Sequence, residues 1–166
     1  MILTLILAAA LASQPRIVDQ VDPIDDIHSA FVFIEHRKTY LAVGCLNVTD
    51  RSSMAVLAKF DRFVDRNPTG IIAGGTLMQY RFDQQPPVSE RWTSQNYVLK
   101  VRGSSAMRFM LGMKGSRQIY VRAQRYDNDV NQLAFTYGDP SRLIEDVLGR
   151  CGYNPDGSRS ASVRRN

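Results

Sequence analysis

Histidine and cysteine are scarce in this chain of 166 residues, which contains two of each. The sequence has one group of potential ligands for a first-row metal ion, which consists of His28, His36 and the carboxylates of Asp25 and Asp26. Such sites usually need more histidine or cysteine ligands than this group offers. Glu35 precedes His36, but neighbours on a strand point to opposite faces, so they do not form a catalytic pair. This scarcity argues against a metal site and against histidine-based acid–base chemistry.

The sequence also lacks the serine and glycine motifs of common enzymes. Residues 103–106 (GSSA) do not have the G-x-S-x-G spacing of a nucleophile elbow. Residues 70–75 are followed by neither the Lys-Ser/Thr pair nor the helix of a phosphate-binding loop. Residues 127–131 begin like a calcium loop, but Gln132 and Gly138 replace the required Gly and Glu, which favours a hairpin turn. We therefore predict a protein that is not an enzyme and that holds no cofactor and no metal.

Long apolar runs are absent as well, since a membrane-spanning helix needs about 20 such residues. The longest run, MILTLILAAALA at residues 1–12, fits a secretory signal, and Ala10-Leu11-Ala12 fits a cleavage site before Ser13. No Lys or Arg precedes the run, so a buried N-terminal strand or helix stays open as the alternative. We expect a periplasmic or secreted protein with no integral membrane segment after signal removal.

The charge is positive, +5 with a pI of about 9.5, but its distribution does not favour nucleic acid. Arginine is scattered along the chain, and the only tight cluster is Arg159, Arg164 and Arg165. Nucleic-acid binders usually gather their basic residues on one face, interleaved with stacking aromatic residues. We predict no nucleic-acid partner.

Apolar periodicity of two predicts strands along most of the chain. The predicted strands cover residues 30–35, 40–46, 53–60, 76–82, 97–101, 119–123 and 133–135. A periodicity of 3.6 predicts two short helices. The first follows Ser104 as N-cap and buries Ala106, Phe109, Met110 and Met113. The second follows Asp139 as N-cap and buries Ile144, Val147, Leu148 and Cys151.

The expected organisation is a signal peptide at 1–12, a leader at 13–21, one β-rich domain at 22–153 and a disordered tail at 154–166. Cys45 and Cys151 both lie on predicted core faces, one on a strand and one on the last helix. In an oxidising compartment such a pair is more often bridged than free. We therefore predict a Cys45–Cys151 disulfide that ties the last helix to the sheet.

A partner-binding surface is predicted on the polar face of the central strands, because Arg and Trp often anchor protein interfaces. For Trp92, packing in the core or at its rim is the favoured role, and a ligand-stacking platform is the minor alternative. An ordinary solvated face is the alternative for the whole set. The predicted residues are Arg81, Arg91, Trp92, Lys100 and Arg102.

Several short motifs occur in order along the chain. They are DPIDD at 22–26, LAVGC at 41–45, MQYRFD at 78–83, WTS at 92–94, LAF at 133–135 and CGY at 151–153. Taken together, they resemble the bacterial type VI secretion-associated VasI-like proteins, which are small and exported. The resemblance runs from about Asp22 to Tyr153, although the family pattern has Trp where this chain has Tyr153. It implies a β-sandwich-like domain of antiparallel sheets with a terminal helix, the same disulfide and no catalytic residue.

Two functions follow from this reading. The first is a non-enzymatic exported accessory protein that binds a protein partner in the cell envelope, in association with type VI secretion. The alternative is a periplasmic inhibitor or immunity-like protein of a cell-envelope enzyme. The net charge of +5 argues against a basic lysozyme as the target of such an inhibitor.

Overall fold

The computed structural model describes residues 14–50, 53–62, 75–124 and 130–161. Nine strands and two helices follow one another along these residues. The predicted signal peptide and the predicted turns at 67–70 and 127–129 lie outside them. In chain order the elements are β1 (Arg16–Val21), β2 (His28–His36), β3 (Thr39–Cys45), β4 (Met54–Lys59), β5 (Thr76–Phe82), β6 (Val88–Gln95), β7 (Val98–Arg102), α1 (Gly103–Met113), β8 (Gln118–Gln124), β9 (Val130–Thr136) and α2 (Ser141–Arg150).

The described strands form one antiparallel sheet in the order β1-β2-β3-β4-β7-β6-β5-β8-β9. β6 joins the two halves of this sheet, because its residues 93–95 pair with β7 while its residues 88–92 pair with β5. The predicted class, mainly β with two short helices, is confirmed. The antiparallel sheets were expected to form a sandwich, but the described strands form one continuous open sheet instead.

One face of the sheet, called the inner face below, is mainly apolar and carries both helices. α1 packs against β4 and β7, and α2 packs against β2 and β3. The helix residues that recur with a period of 3.6 are buried as predicted, because they pack against the inward-facing side chains of the strands. They are Ala106, Phe109, Met110 and Met113 of α1, with Ile144, Val147 and Leu148 of α2.

An aromatic cluster fills the space between α1 and the strands β5 and β6. The ring of Phe109 lies 4.7 Å from that of Tyr80, 5.2 Å from that of Phe82 and 5.6 Å from that of Trp92. Tilted and edge-on contacts at these distances stabilise beyond the area they bury. Trp92 is fully buried, which confirms the favoured core role.

The Cys45–Cys151 disulfide is present and links β3 to the end of α2. Both cysteines are buried, and their Cα atoms are 6.0 Å apart. The bond closes 106 residues of chain and holds α2 against the inner face.

Two strands lie where the sequence predicted none. β1 occupies most of the segment expected to be a leader, and it forms the exposed edge of the sheet beside β2. Because an edge strand is half solvated, its alternation of apolar residues is weak. β6 lies in a stretch for which no strand was predicted, because its inward positions include the polar residues Glu90 and Ser94.

The helix starts differ slightly from those predicted. α1 begins at Gly103, so Ser104 lies inside the helix and is not its N-cap. α2 begins at Ser141, but the carboxylate of Asp139 still accepts a hydrogen bond from the Ser141 amide at 2.9 Å. Asp139 therefore satisfies a first-turn amide from just outside the helix.

The predicted disorder of the tail is wrong for residues 154–161. The amide of Asn154 donates to the carbonyl of Ser158 at 2.8 Å, and Tyr153 pairs with Arg159. The ammonium group of Lys114 also donates to the carbonyl of Pro155 at 2.8 Å. A turn composed of Asn, Pro, Asp and Gly bonds to itself and packs on α1, although it contains almost no apolar residue.

Candidate functional site

The face of the sheet opposite the helices, called the outer face below, is strongly basic. Residues paired across neighbouring strands share a face, so the strand register assigns every side chain to one face or the other. Among the described strand residues the outer face holds a single carboxylate, Glu35, which lies 3.2 Å from Arg16. The outer-face cations are Arg16, Lys59, Arg81, Arg91, Lys100, Arg102 and Arg122.

The acidic strand residues Asp19 and Glu90 lie on the inner face, and each is paired with a helix. Asp19 accepts a hydrogen bond from Arg150 of α2. Glu90 lies 3.6 Å from Arg108 of α1 and accepts a bond from the Trp92 indole at 3.1 Å. Because these carboxylates already have cationic partners, they do little to neutralise the outer face.

Four of the outer-face cations surround a groove of about 890 Å³ over β4, β6 and β7. None of the described residues that line it is acidic. A volume of this size is within the usual range for small-molecule sites. We call it the basic groove and define it by Lys59, Arg91, Lys100 and Arg102, together with Leu57, Thr93, Tyr97 and Val98.

The strand register fixes how the groove is built. Lys100 lies between Leu57 of β4 and Thr93 of β6, and the Thr93 hydroxyl donates to the Lys100 carbonyl at 2.9 Å. Arg102 follows two residues later on the same strand, about 7 Å away at the strand rise of ~3.3 Å per residue. Lys59 lies opposite Val98 at the other end of the groove. The cations therefore form a row along the strands, with apolar side chains between them.

The electrostatics of the groove favour an anion. Burial lowers the pKa of Lys100, and the positive charge of Arg102 lowers it further. A bound carboxylate would offset this repulsion, because opposite charges favour the protonated form of Lys. Arg91 donates to the Gly75 carbonyl at 3.1 Å, and the Lys59 ammonium lies 5.8 Å from the Tyr40 ring centre. These contacts orient the long side chains at the rim.

The structure brings together three of the five predicted partner-binding residues, Arg91, Lys100 and Arg102. Trp92 does not belong to the surface and is corrected here. It follows Arg91 on β6, and adjacent strand residues point to opposite faces, so the indole lies in the core. Lys59 was missed, although it ends a strand in which Leu57 and Lys59 alternate with buried residues.

Arg81 lies on the outer face but lines a separate recess over β5, β8 and β9. Its guanidinium group stacks 4.7 Å from the centre of the Tyr120 ring, and the recess has a volume of about 340 Å³. Arg91 pairs with Leu77 of β5, and Arg81 lies four residues beyond Leu77 on the same strand. At a rise of ~3.3 Å per residue, this separates Arg81 from Arg91 by about 13 Å along the strand. The predicted surface is thus divided between two places.

A cluster of the buried Tyr80, the partly buried Glu90 and the exposed Arg108 is the other grouping of titratable side chains in this part of the fold. Burial raises the pKa of Tyr80, and the charge of Glu90 raises it further. A phenol of this kind stays protonated at neutral pH and is a poor nucleophile. With the aromatic rings packed around it, the cluster has a structural role between β5, β6 and α1.

The histidines and neighbouring carboxylates do not assemble into a ligand set. His28 lies 3.4 Å from Asp26, and both side chains are exposed. Over the described ranges, no group of three His, Cys, Asp or Glu residues is arranged to hold a metal ion. Most of the calcium-like segment at 127–131 lies outside those ranges.

Comparison of the chain with protein-family models, with curated proteins and with solved structures found no match. Within the described residues, no helix is long and apolar enough to cross a membrane. The disulfide indicates an oxidising environment outside the cytoplasm.

Proposed function

We propose that this chain is an exported, non-enzymatic accessory protein that binds an acidic protein partner through the basic groove. The observation that carries the proposal is the sorting of charge by the sheet. Inward carboxylates pair with the helices, while four cations and no described carboxylate line one groove on the outer face.

The composition of the groove supports a protein partner. Leu57 and Val98 offer apolar contacts between the cations, and Tyr97 is 45% exposed at its edge. Arg can bind a carboxylate in a bidentate manner, which gives specificity as well as affinity. Single-stranded nucleic acid would need several stacking aromatics. Tyr97 is the one aromatic residue among the described residues of the lining.

The proposed location is the periplasm or the cell exterior, and the proposed association is with type VI secretion. The disulfide supports export, because such bonds persist in oxidising compartments. The association is supported by the resemblance of the short motifs to the VasI-like proteins. The alternative function, inhibition of a cell-envelope enzyme, requires an acidic enzyme as the target, because the groove would repel a basic one.

The test uses a labelled oligo-glutamate peptide and an oligo-lysine peptide of equal length. We expect the wild-type protein to bind the acidic peptide alone, with an affinity that falls as salt rises. Lys100→Glu/Arg102→Glu should abolish binding. Arg117→Glu/Arg142→Glu is the matched control, because it changes the net charge equally on exposed residues outside the groove.

Equal losses in the two variants would show that only net charge matters and would overturn the assignment of the groove. Preferential binding of single-stranded nucleic acid that depends on Lys100 and Arg102 would replace the protein partner. Turnover of peptidoglycan, ester or phosphate substrates that a point substitution abolishes would overturn the non-enzymatic function. Loss of activity of an acidic envelope enzyme on complex formation would favour the inhibitor.

A further inference from the structure

An acidic turn with an exposed apolar tip joins β1 to β2 at residues 22–27, and we call it the acidic turn. Ile24 at its tip is 90% exposed, Val21 before it is 48% exposed and Ile27 is 36% exposed. These are three of the five exposed large apolar residues of the described chain. Single exposed apolar residues are ordinary, but a concentration of them in one turn indicates a contact surface.

The acidic turn is held in shape by its own hydrogen bonds. The amide of Asp22 donates to the carbonyl of Ile27 at 2.9 Å, which closes the turn. The Asp22 carboxylate accepts bonds from the amides of Ile24 and Asp25 at 2.9 and 3.3 Å. The backbone therefore presents Ile24 to solvent with the carboxylates of Asp25 and Asp26 beside it, and little ordering is needed on binding.

The chemistry of this turn complements that of the basic groove. The groove offers cations around the partly exposed Leu57 and Val98. Its edge carries Tyr97, which is another of the five exposed large apolar residues of the described chain. The turn offers carboxylates around an isoleucine. Carboxylates would meet Lys100 and Arg102 while the isoleucine met the apolar floor, which combines charge pairing with the burial of apolar surface.

The two surfaces of one molecule cannot meet. Three strands separate β1 from β7 in the sheet, which places them about 19 Å apart at ~4.8 Å per strand. The acidic turn is also anchored by the pairing of β1 with β2 along the length of β1. Only a second copy can place its turn in the groove.

We propose that a second copy of this chain is an occupant of the basic groove, with the acidic turn of one molecule docked in the groove of the next. This inference rests on the proposed function, because it assigns the same groove. Turn and groove are different surfaces, so repeated contacts build a chain of molecules unless two copies dock reciprocally and close. An acidic partner and a second copy compete for the groove, so partner binding would dissolve the assembly.

The test measures the mass of the purified protein by sedimentation over a wide range of concentration. The turn variant is Ile24→Ser/Asp25→Lys, which keeps the Asp22 side chain and the left-handed residue Asp26. The groove variant is Lys100→Glu/Arg102→Glu. We expect the mass of the wild type to rise with concentration and to fall with added salt, while each variant alone stays monomeric.

The decisive sample is an equimolar mixture of the two variants. The groove variant keeps an intact turn and the turn variant keeps an intact groove, so one contact remains. The mixture should form a heterodimer and nothing larger. A monomeric mixture would overturn the inference, as would a wild type that stays monomeric or variants that associate like the wild type.

Failure here is distinguishable from failure of the proposed function. If the turn variant binds the oligo-glutamate peptide like the wild type while no sample associates, the groove binds acidic partners but not a second copy. If neither the peptide nor a second copy binds, both proposals fail. If the peptide binds and also disperses the wild-type assembly, both hold.

Discussion

At the scale of single residues, Gly44 is a position where the close approach of two strands leaves no room for a side chain. It lies on β3 opposite Phe31 of β2. A methyl group added at Gly44 would lie 1.9 Å from the carbonyl oxygen of Ala30 and 2.8 Å from the Cα atom of Phe31. Both are backbone atoms of a paired strand, so no side-chain movement can relieve the clash.

We therefore expect Gly44→Ala to lower the free energy of unfolding by about 3 kcal/mol or more, because β2 must shift away from β3. Gly138→Ala is the matched control, since nothing lies within 4 Å of its added methyl group. The control should stay within about 0.5 kcal/mol of the wild type. Chemical denaturation measures both. Equal losses in the two variants would contradict the role of close strand approach at Gly44.

Sequence periodicity predicted the buried side chains well, because alternation reports directly which face of an element is dry. It identified the inward residues of both helices and the burial of both cysteines. It was not applied to Trp92, whose core role was favoured but which was also grouped with its neighbour Arg91 in the predicted surface because of residue type. The alternation that predicted other strands would have separated them, but Glu90 and Ser94 on the inner face concealed that β6 is a strand.

At the scale of elements, the disulfide attaches α2 to β3 and contributes to keeping the helix docked. α2 otherwise relies on the burial of Ile144, Val147 and Leu148 and on the ion pair of Arg150 with Asp19. That pair is exposed, and exposed pairs contribute little. The covalent link therefore adds to the apolar burial in holding this helix of 10 residues against the sheet.

We expect Cys45→Ala, Cys151→Ala and the double variant to lose about 4 to 5 kcal/mol each, as the chain-entropy relation gives for a loop of this size. The three losses should be similar, because removing either cysteine removes the same bond. Alanine avoids burying an unpaired hydroxyl group. Denaturation under non-reducing conditions measures the losses. A double variant that loses the sum of the single losses would contradict the prediction.

At the scale of the whole molecule, the order of the strands was not predictable from the sequence. β4 pairs with β7, and β5 pairs with β8, so long stretches of chain separate partners. Periodicity assigns faces but not neighbours. The groove depends on those neighbours, because Lys59, Arg91 and Lys100 come from three strands that meet only in the folded sheet. For that reason the sequence indicated the basic residues and not their division between two sites.

The last prediction concerns the mature chain. We expect export with cleavage after Ala12, because residues 1–12 have the apolar run and the small-x-small site of a secretory signal. Cleavage there leaves β1 complete, since that strand begins at Arg16. Mass spectrometry of protein from the native host should give Ser13 as the N-terminus. The unfolded, unreduced protein should show no free thiol, because both cysteines are bridged.

Ala12→Asp should block the cleavage, because the site requires a small uncharged residue. A second change, Asp61→Ala, lies far along the chain and serves as the control, with processing expected to match the wild type. An intact Met1 on protein that also contains two reactive thiols would contradict export. Such a chain would keep its cysteines in a reducing compartment, and α2 would then be held to β3 by packing alone, weaker by about the 4 to 5 kcal/mol that the bond contributes.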